Sequence, residues 1–150
     1  MKNLKFIAII IAFFSISACC SKKGACPTLQ FSSVKLVGFD PKDIDSGIRL
    51  NIYQPNTNFT QIVNTVDMKA EPTSDANVYI LNTGVLGIDY DYGVSVPKLS
   101  KDYKVSNYAG TKVACGKCFL RSNNQFGYEM TAYSVNNRSQ SFEGFIQINK

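Results

Sequence analysis

The chain has 150 residues and a mass of 16.6 kDa, the size of a single domain. Apolar residues make up 45% and charged residues 18%, which excludes a disordered or collagenous chain, and a formal charge of +5 without a basic run excludes a nucleic-acid footprint. There is no His, so Ser-His, Cys-His and His-ligated metal chemistry are excluded within this chain.

Lys2 and Lys5 give a positive start, and Phe6 to Phe14 reads FIAIIIAFF with no charge or strong polar group. Ile16, Ser17, Ala18 and Cys19 follow. A charged start, a short apolar stretch and small residues at the cut describe a secretory signal peptide over residues 1–18. A spanning helix needs about 20 apolar residues, and this run is too short.

Ile16-Ser17-Ala18-Cys19 resembles the lipobox of bacterial lipoproteins cut by signal peptidase II. The resemblance implies a diacylglycerol thioether on the Cys19 sulfur, cleavage before Cys19 and acylation of the new amino end. Cys20 is a poorer acceptor, because Ser17, Ala18 and Cys19 precede it. Position two of the mature chain is Cys20 rather than Asp, and Ser21, Lys22, Lys23 and Gly24 contain no acid. Within this family that pattern implies the outer membrane of a Gram-negative envelope, facing the periplasm. Each buried methylene contributes about 0.8 kcal/mol, so two or three acyl chains hold a protein at a membrane for long times. By that reasoning the fold needs no membrane-inserting surface of its own. The mature chain then has 132 residues and a charge of +3, with residues 19–27 as a lipidated tether and 28–150 as the folded domain. Lys22 and Lys23 read as part of a solvated spacer.

From Leu29 onward the apolar period is two, the signature of strands. One or two strands fall in Leu29–Phe39. Ile48, Leu50 and Ile52 alternate with Arg49, Asn51 and Tyr53. Ile62, Val66 and Met68 alternate with Thr65, Asp67 and Lys69. Val78 and Ile80 make a short strand. Leu86, Ile88, Tyr90, Tyr92, Val94 and Val96 share one face of a half-buried strand or strand pair. Tyr103 and Val105 mark another short strand, Phe126, Tyr128, Met130 and Ala132 a further one, and Phe142, Ile146 and Ile148 the last. Pro41, Pro55, Pro72 and Pro97 fall between or at the ends of these runs. Asn136-Asn137 tolerates the positive φ of a tight hairpin, and Leu99-Ser100-Lys101 links two strands in a similar way. The pattern predicts an all-β, antiparallel β-sandwich, immunoglobulin-like or similar. An up-and-down barrel with an internal cavity is the alternative.

With Cys19 lipidated, Cys20, Cys26, Cys115 and Cys118 remain, and an oxidising envelope makes disulfides their default state. Four Cys allow three full pairings. A bond from Cys26 to Cys115 or Cys118 closes a loop of about 90 residues, whereas Cys115–Cys118 staples a local turn. Cys115-Gly116-Lys117-Cys118 also has the spacing of thiol-disulfide redox motifs, but the βαβ context of such sites is not visible. A four-Cys zinc site is disfavoured by the spacing of Cys20 and Cys26.

Asp40, Asp43 and Asp45 cluster in FDPKDIDSG and are weak candidates for calcium. Counted from Asp43, Gly47 and Gln54 stand where an EF-hand needs other residues, so the expectation is a polar loop with no metal. Asp89 and Asp91, roughly 7 Å apart on one strand face, form a carboxylate pair that, gathered in a cleft with Glu129, suits acid-base work. Their simpler reading is a solvated sheet face. Tyr90 and Tyr92 are expected in the core, and Tyr79, Tyr108 and Tyr133 are the candidates for an exposed aromatic patch.

In general layout the chain resembles the small β-sandwich envelope lipoproteins of Gram-negative bacteria. The resemblance implies a membrane-anchored, non-catalytic binding or interaction module with an envelope protein or a glycan as partner and no cofactor. A redox protein using Cys115 and Cys118 is the alternative.

Overall fold

The computed structural model describes residues 20–21, 26–118 and 125–150. The elements are β1 (Cys20–Ser21), β2 (Gln30–Val37), a single-turn helix α1 (Pro41–Ile44), β3 (Ile48–Tyr53), β4 (Ile62–Met68), β5 (Glu71–Pro72), β6 (Val78–Gly87), β7 (Asp91–Val96), β8 (Lys101–Cys118), β9 (Gln125–Val135), β10 (Arg138–Ser141) and β11 (Ile146–Asn149). Two sheets result. One runs β10-β9-β8-β7-β3-β4, with β1 also paired to β8, and the other runs β11-β2-β6-β5. The fold is an all-β sandwich rich in antiparallel pairs; β11 alongside β2 is parallel.

The chain divides into two compact units. Leu29–Thr111 with Met130–Lys150 forms one, and Met1–Thr28 with Lys112–Glu129 forms the other. The hydrophobic core belongs wholly to the first. Leu36 and Val34 of β2, Leu81 of β6 and Ile146 and Ile148 of β11 meet Leu50 of β3, Val94 and Val96 of β7 and Val105 of β8. Each large side chain buried there contributes roughly 1.5–3 kcal/mol by leaving water. Phe31 of β2 packs edge-on against Tyr92 at 5.3 Å, and Phe39 against Tyr103 at 6.0 Å. In β2 the inward residues change from odd (Phe31) to even (Val34, Leu36), because the register with β6 shifts between Phe31 and Ser33.

The turn chemistry read from the sequence is in place. Asn136 and Asn137 take φ of 48° and 65° between β9 and β10, and Ser100, at φ 49°, joins β7 to β8 after a 3₁₀ turn at Pro97–Leu99.

Three strand readings need correction. The run Leu86–Val96 is the strand pair of the two options, but its strands lie in different sheets around a turn at residues 88–90, and that turn leaves Tyr90 40% exposed instead of on a shared buried face. β4 does not bury a face. It is the edge strand beside β3, and Ile62, Val63 and Val66 are 58%, 55% and 40% exposed, with only Met68 packed against the core. The short strand at Tyr103 and Val105 is the beginning of an 18-residue strand.

Candidate functional site

The expected signal peptide, residues 1–18, and the expected lipidation site, Cys19, lie outside the described residues. Just after them, Cys26 forms a disulfide with Cys115 of β8, with Cα atoms 5.3 Å apart and 89 residues of sequence separation. The neighbouring backbone makes the approach close. The Tyr128 amide of β9 donates to the Pro27 carbonyl at 2.9 Å. A Cβ on Gly127 would sit 2.5 Å from that same oxygen, so the position requires glycine for lack of space. The register of β1 on β8 sets the backbone of Cys20 opposite that of Cys118. Of the two long-range options for Cys26, the partner is Cys115, and Cys115 is therefore a disulfide sulfur and not a free thiol beside Cys118.

Asp40, Asp43 and Asp45 do not converge on one point. Asp40 caps α1, and its amide donates to Asp43 Oδ2 at 2.8 Å. Lys150 Nζ then donates to Asp43 Oδ2 at 2.6 Å and to Asp40 Oδ2 at 3.1 Å. The hydrogen bond from Lys150, followed by the one from the Asp40 amide, holds the Asp43 carboxyl below its ordinary value, and the two carboxylates raise Lys150. Asp45 turns instead to Lys98, at 2.7 Å. Among the described residues no group of three or more His, Cys, Asp or Glu side chains is placed to hold a metal ion. The acidic triplet is a cap with its own cations.

Asp89 and Asp91 are also separated by structure. Asp89 lies in the turn, and Asp91 is the first residue of β7. Burial raises the Asp91 carboxyl, opposed by a hydrogen bond from the Asn56 backbone. Glu129 belongs to the other unit. Beside them, Tyr92 donates its hydroxyl to the Gly87 carbonyl at 2.6 Å. Burial, then the charges of Asp89 and Tyr90, push that phenol up to about 12.

Of the aromatic expectations, Tyr92 is in the core as read, and the others are overturned. Tyr79 and Tyr133 are buried at 8% and 1% exposure, and Tyr108 stacks on Phe31 at 6.3 Å between rings. These side chains fill the core because long strands carry them under the opposite sheet. Among the described residues the exposed aromatics are Tyr90, Phe126 and Tyr128. Phe126 and Tyr128, read as a core face with Met130, stand half-exposed, and Lys112 Nζ lies 4.1 Å from the Phe126 ring centre.

Two further features have no simple sequence signal. Side chains of four adjacent strands form a relay: Thr65 donates to Asn51 at 3.0 Å, Asn51 to Ser95 at 3.2 Å, and Ser95 to Asp102. One row along, Arg49 pairs with Asp67 at 2.8 Å, and on the other side Tyr53 packs against Phe59 under Lys104. Separately, a recess of about 530 Å³ is lined by Lys101, Asp102, Tyr103, Asn136, Arg138 and Lys150, among others. Tyr103 is 6% exposed, and its hydroxyl has no hydrogen-bond partner among the described residues. Lys150 is already paired with Asp40 and Asp43 and the Tyr103 hydroxyl is buried, so Lys101 and Arg138 are the cations that suit an acidic group of a partner here. The residues come from positions 101–103, 136–138 and 150, too far apart in sequence for a spacing rule to join them.

No protein-family model, curated protein or solved structure matches the chain.

Proposed function

We propose that the chain is a lipoprotein of a Gram-negative envelope, cut before Cys19, acylated there, and held at the outer membrane facing the periplasm. In this reading the sandwich is a non-catalytic module that binds an envelope protein or a glycan. The observation that carries it is the Cys26–Cys115 bond. Disulfides persist in the oxidising compartments that a lipobox addresses. This one also ties the segment directly behind the lipobox to β8, the strand that β1 (Cys20–Ser21) pairs with as well. The same bond occupies Cys115, which weighs against a redox role for Cys115 and Cys118.

The test has two arms. Intact mass of the mature protein from membranes is expected to show Cys19 as its first residue, carrying acyl chains, and Cys19→Ser is expected to leave the chain unprocessed. A Cys19→Ser protein that still matures and stays with membranes overturns the lipid reading. Crosslinking and capture from native membranes then finds the partner. The cationic recess is the first surface to probe: Lys101→Glu with Arg138→Glu is expected to abolish capture without changing the fold.

A further inference from the structure

The second unit carries an aromatic strand surface with Lys112 beside it, outside the core of the first unit. Phe126 and Tyr128 lie two apart on β9 and so on one face, 47% and 48% exposed. Lys112 of β8 places its ammonium over the Phe126 ring at 4.1 Å. Among the described residues, none of this unit enters the hydrophobic core. The unit is also set apart in charge. By sequence, residues 19–28 and 112–129 hold five Lys and Arg against one acid, whereas 29–111 with 130–150 hold nine against ten. The basic excess of the mature chain is thus confined to the unit that contains its amino end.

Aromatic rings with an apolar body, set beside cations, are the side chains that settle at a bilayer interface. The disulfide and the β1 pairing fix where this surface operates. Cys115 is bonded to Cys26, and Cys20, the residue after Cys19, is paired with Cys118 of the same strand. Resting on the lipoprotein reading above, we infer that Lys112, Phe126 and Tyr128 dock on the anionic headgroup surface of the same membrane that holds the acyl chains. The acyl chains supply the attachment; the strand pair supplies contact with the headgroups, and the cations select an anionic surface. This surface adds to the anchor one contact that the lipid alone does not require.

The chain has no Trp, so Phe126→Trp introduces a single fluorophore at the surface in question. The acylated protein, its mass verified, is placed in vesicles with brominated acyl chains, made either of phosphatidylcholine or of phosphatidylcholine with phosphatidylglycerol. The expected result is a blue-shifted and quenched emission in the anionic vesicles, weaker in the neutral ones. Val63→Trp, in the other unit, is expected to show neither change. Adding Lys112→Glu is expected to relieve the quenching, since a single cation near such a surface changes partitioning by about fivefold. Tyr128→Trp repeats the measurement should Phe126→Trp fold poorly. Unchanged emission at both positions with acyl chains present overturns the docking and leaves the anchor standing. Equal quenching at position 63 also overturns it. If the mass shows no acyl chains, the anchor reading falls, and cosedimentation of that protein with anionic vesicles decides the docking: binding lost with Lys112→Glu supports it, and no binding ends it.

Discussion

Lys150 Nζ lies 2.6 Å from the buried carboxylate of Asp43, joining two residues 107 positions apart. The contact links the residue after β11 to the turn after β2. Because the Asp43 carboxyl sits below its ordinary value of 3.8 in the folded chain, this pair stabilises the fold at pH above that value. The contribution is lost as pH falls through the lower, folded value, because the unfolded chain then takes up the proton more readily. Asp43→Asn is expected to flatten the acid limb of a stability-pH curve. Lys150→Met leaves the carboxylate buried without its cation, and is expected to lower Tm at pH 7 and raise the acid midpoint. Thermal unfolding from pH 2 to 7 measures both.

At the alkaline end the sign reverses. Burial raises the phenols of Tyr92, Tyr103, Tyr108 and Tyr133, with Tyr92 reaching about 12. The unfolded chain ionises its tyrosines near pH 10 and releases protons first. Stability is therefore expected to hold below pH 10 and fall as pH rises toward 12. An absorbance titration is expected to show these four tyrosines ionising late, together with unfolding. Tyr92→Phe also removes the bond to Gly87, worth about 1 kcal/mol, and urea unfolding at pH 7 checks that loss.

The Cys26–Cys115 bond spans 89 residues, and the chain-entropy treatment assigns such a loop about 4–5 kcal/mol. Cys26→Ala is expected to lower stability by up to that amount in denaturant unfolding. Non-reducing peptide mapping of the wild-type protein is expected to recover Cys26 linked to Cys115. A Cys115–Cys118 peptide in its place would contradict the structure.

Gly127→Val places a Cβ where the Pro27 carbonyl oxygen stands, 2.5 Å away. Overpacking of this kind costs about 1–3 kcal/mol. Because Gly127 and Pro27 both belong to the second unit, the expected outcome is local. Hydrogen exchange at the Tyr128 amide, which donates to Pro27, is expected to accelerate, while the Leu81 and Val94 amides in the core keep their protection.

Tyr92, Val94 and Val96 show what was legible in the sequence. Their alternation is local, and all three are buried. Asn136-Asn137 was legible for the same reason, since the turn needs positive φ and those residues permit it. Tyr90 failed because a three-residue turn can preserve an alternating pattern while moving the chain to another sheet. Ile62 and Val66 failed because an edge strand carries the same apolar period as a central one, and only the opposing layer decides what is covered. Phe126 and Tyr128 failed likewise: their spacing from Met130 is that of a core face, but the core ends before them. The recess around Tyr103 depends on Lys101, Arg138 and Lys150 meeting across the chain, a convergence with no periodicity to betray it.

The parallel seating of β11 on β2 has a consequence for biosynthesis. β2 is the first long strand to be made, yet its outer edge stays open until Ile146–Asn149 have been synthesised. Closing that edge joins the two most distant strands of the core, a slow step for any chain with such non-local pairing. Until β11 has been made, the four-stranded sheet is unfinished and β2 presents an unpaired edge.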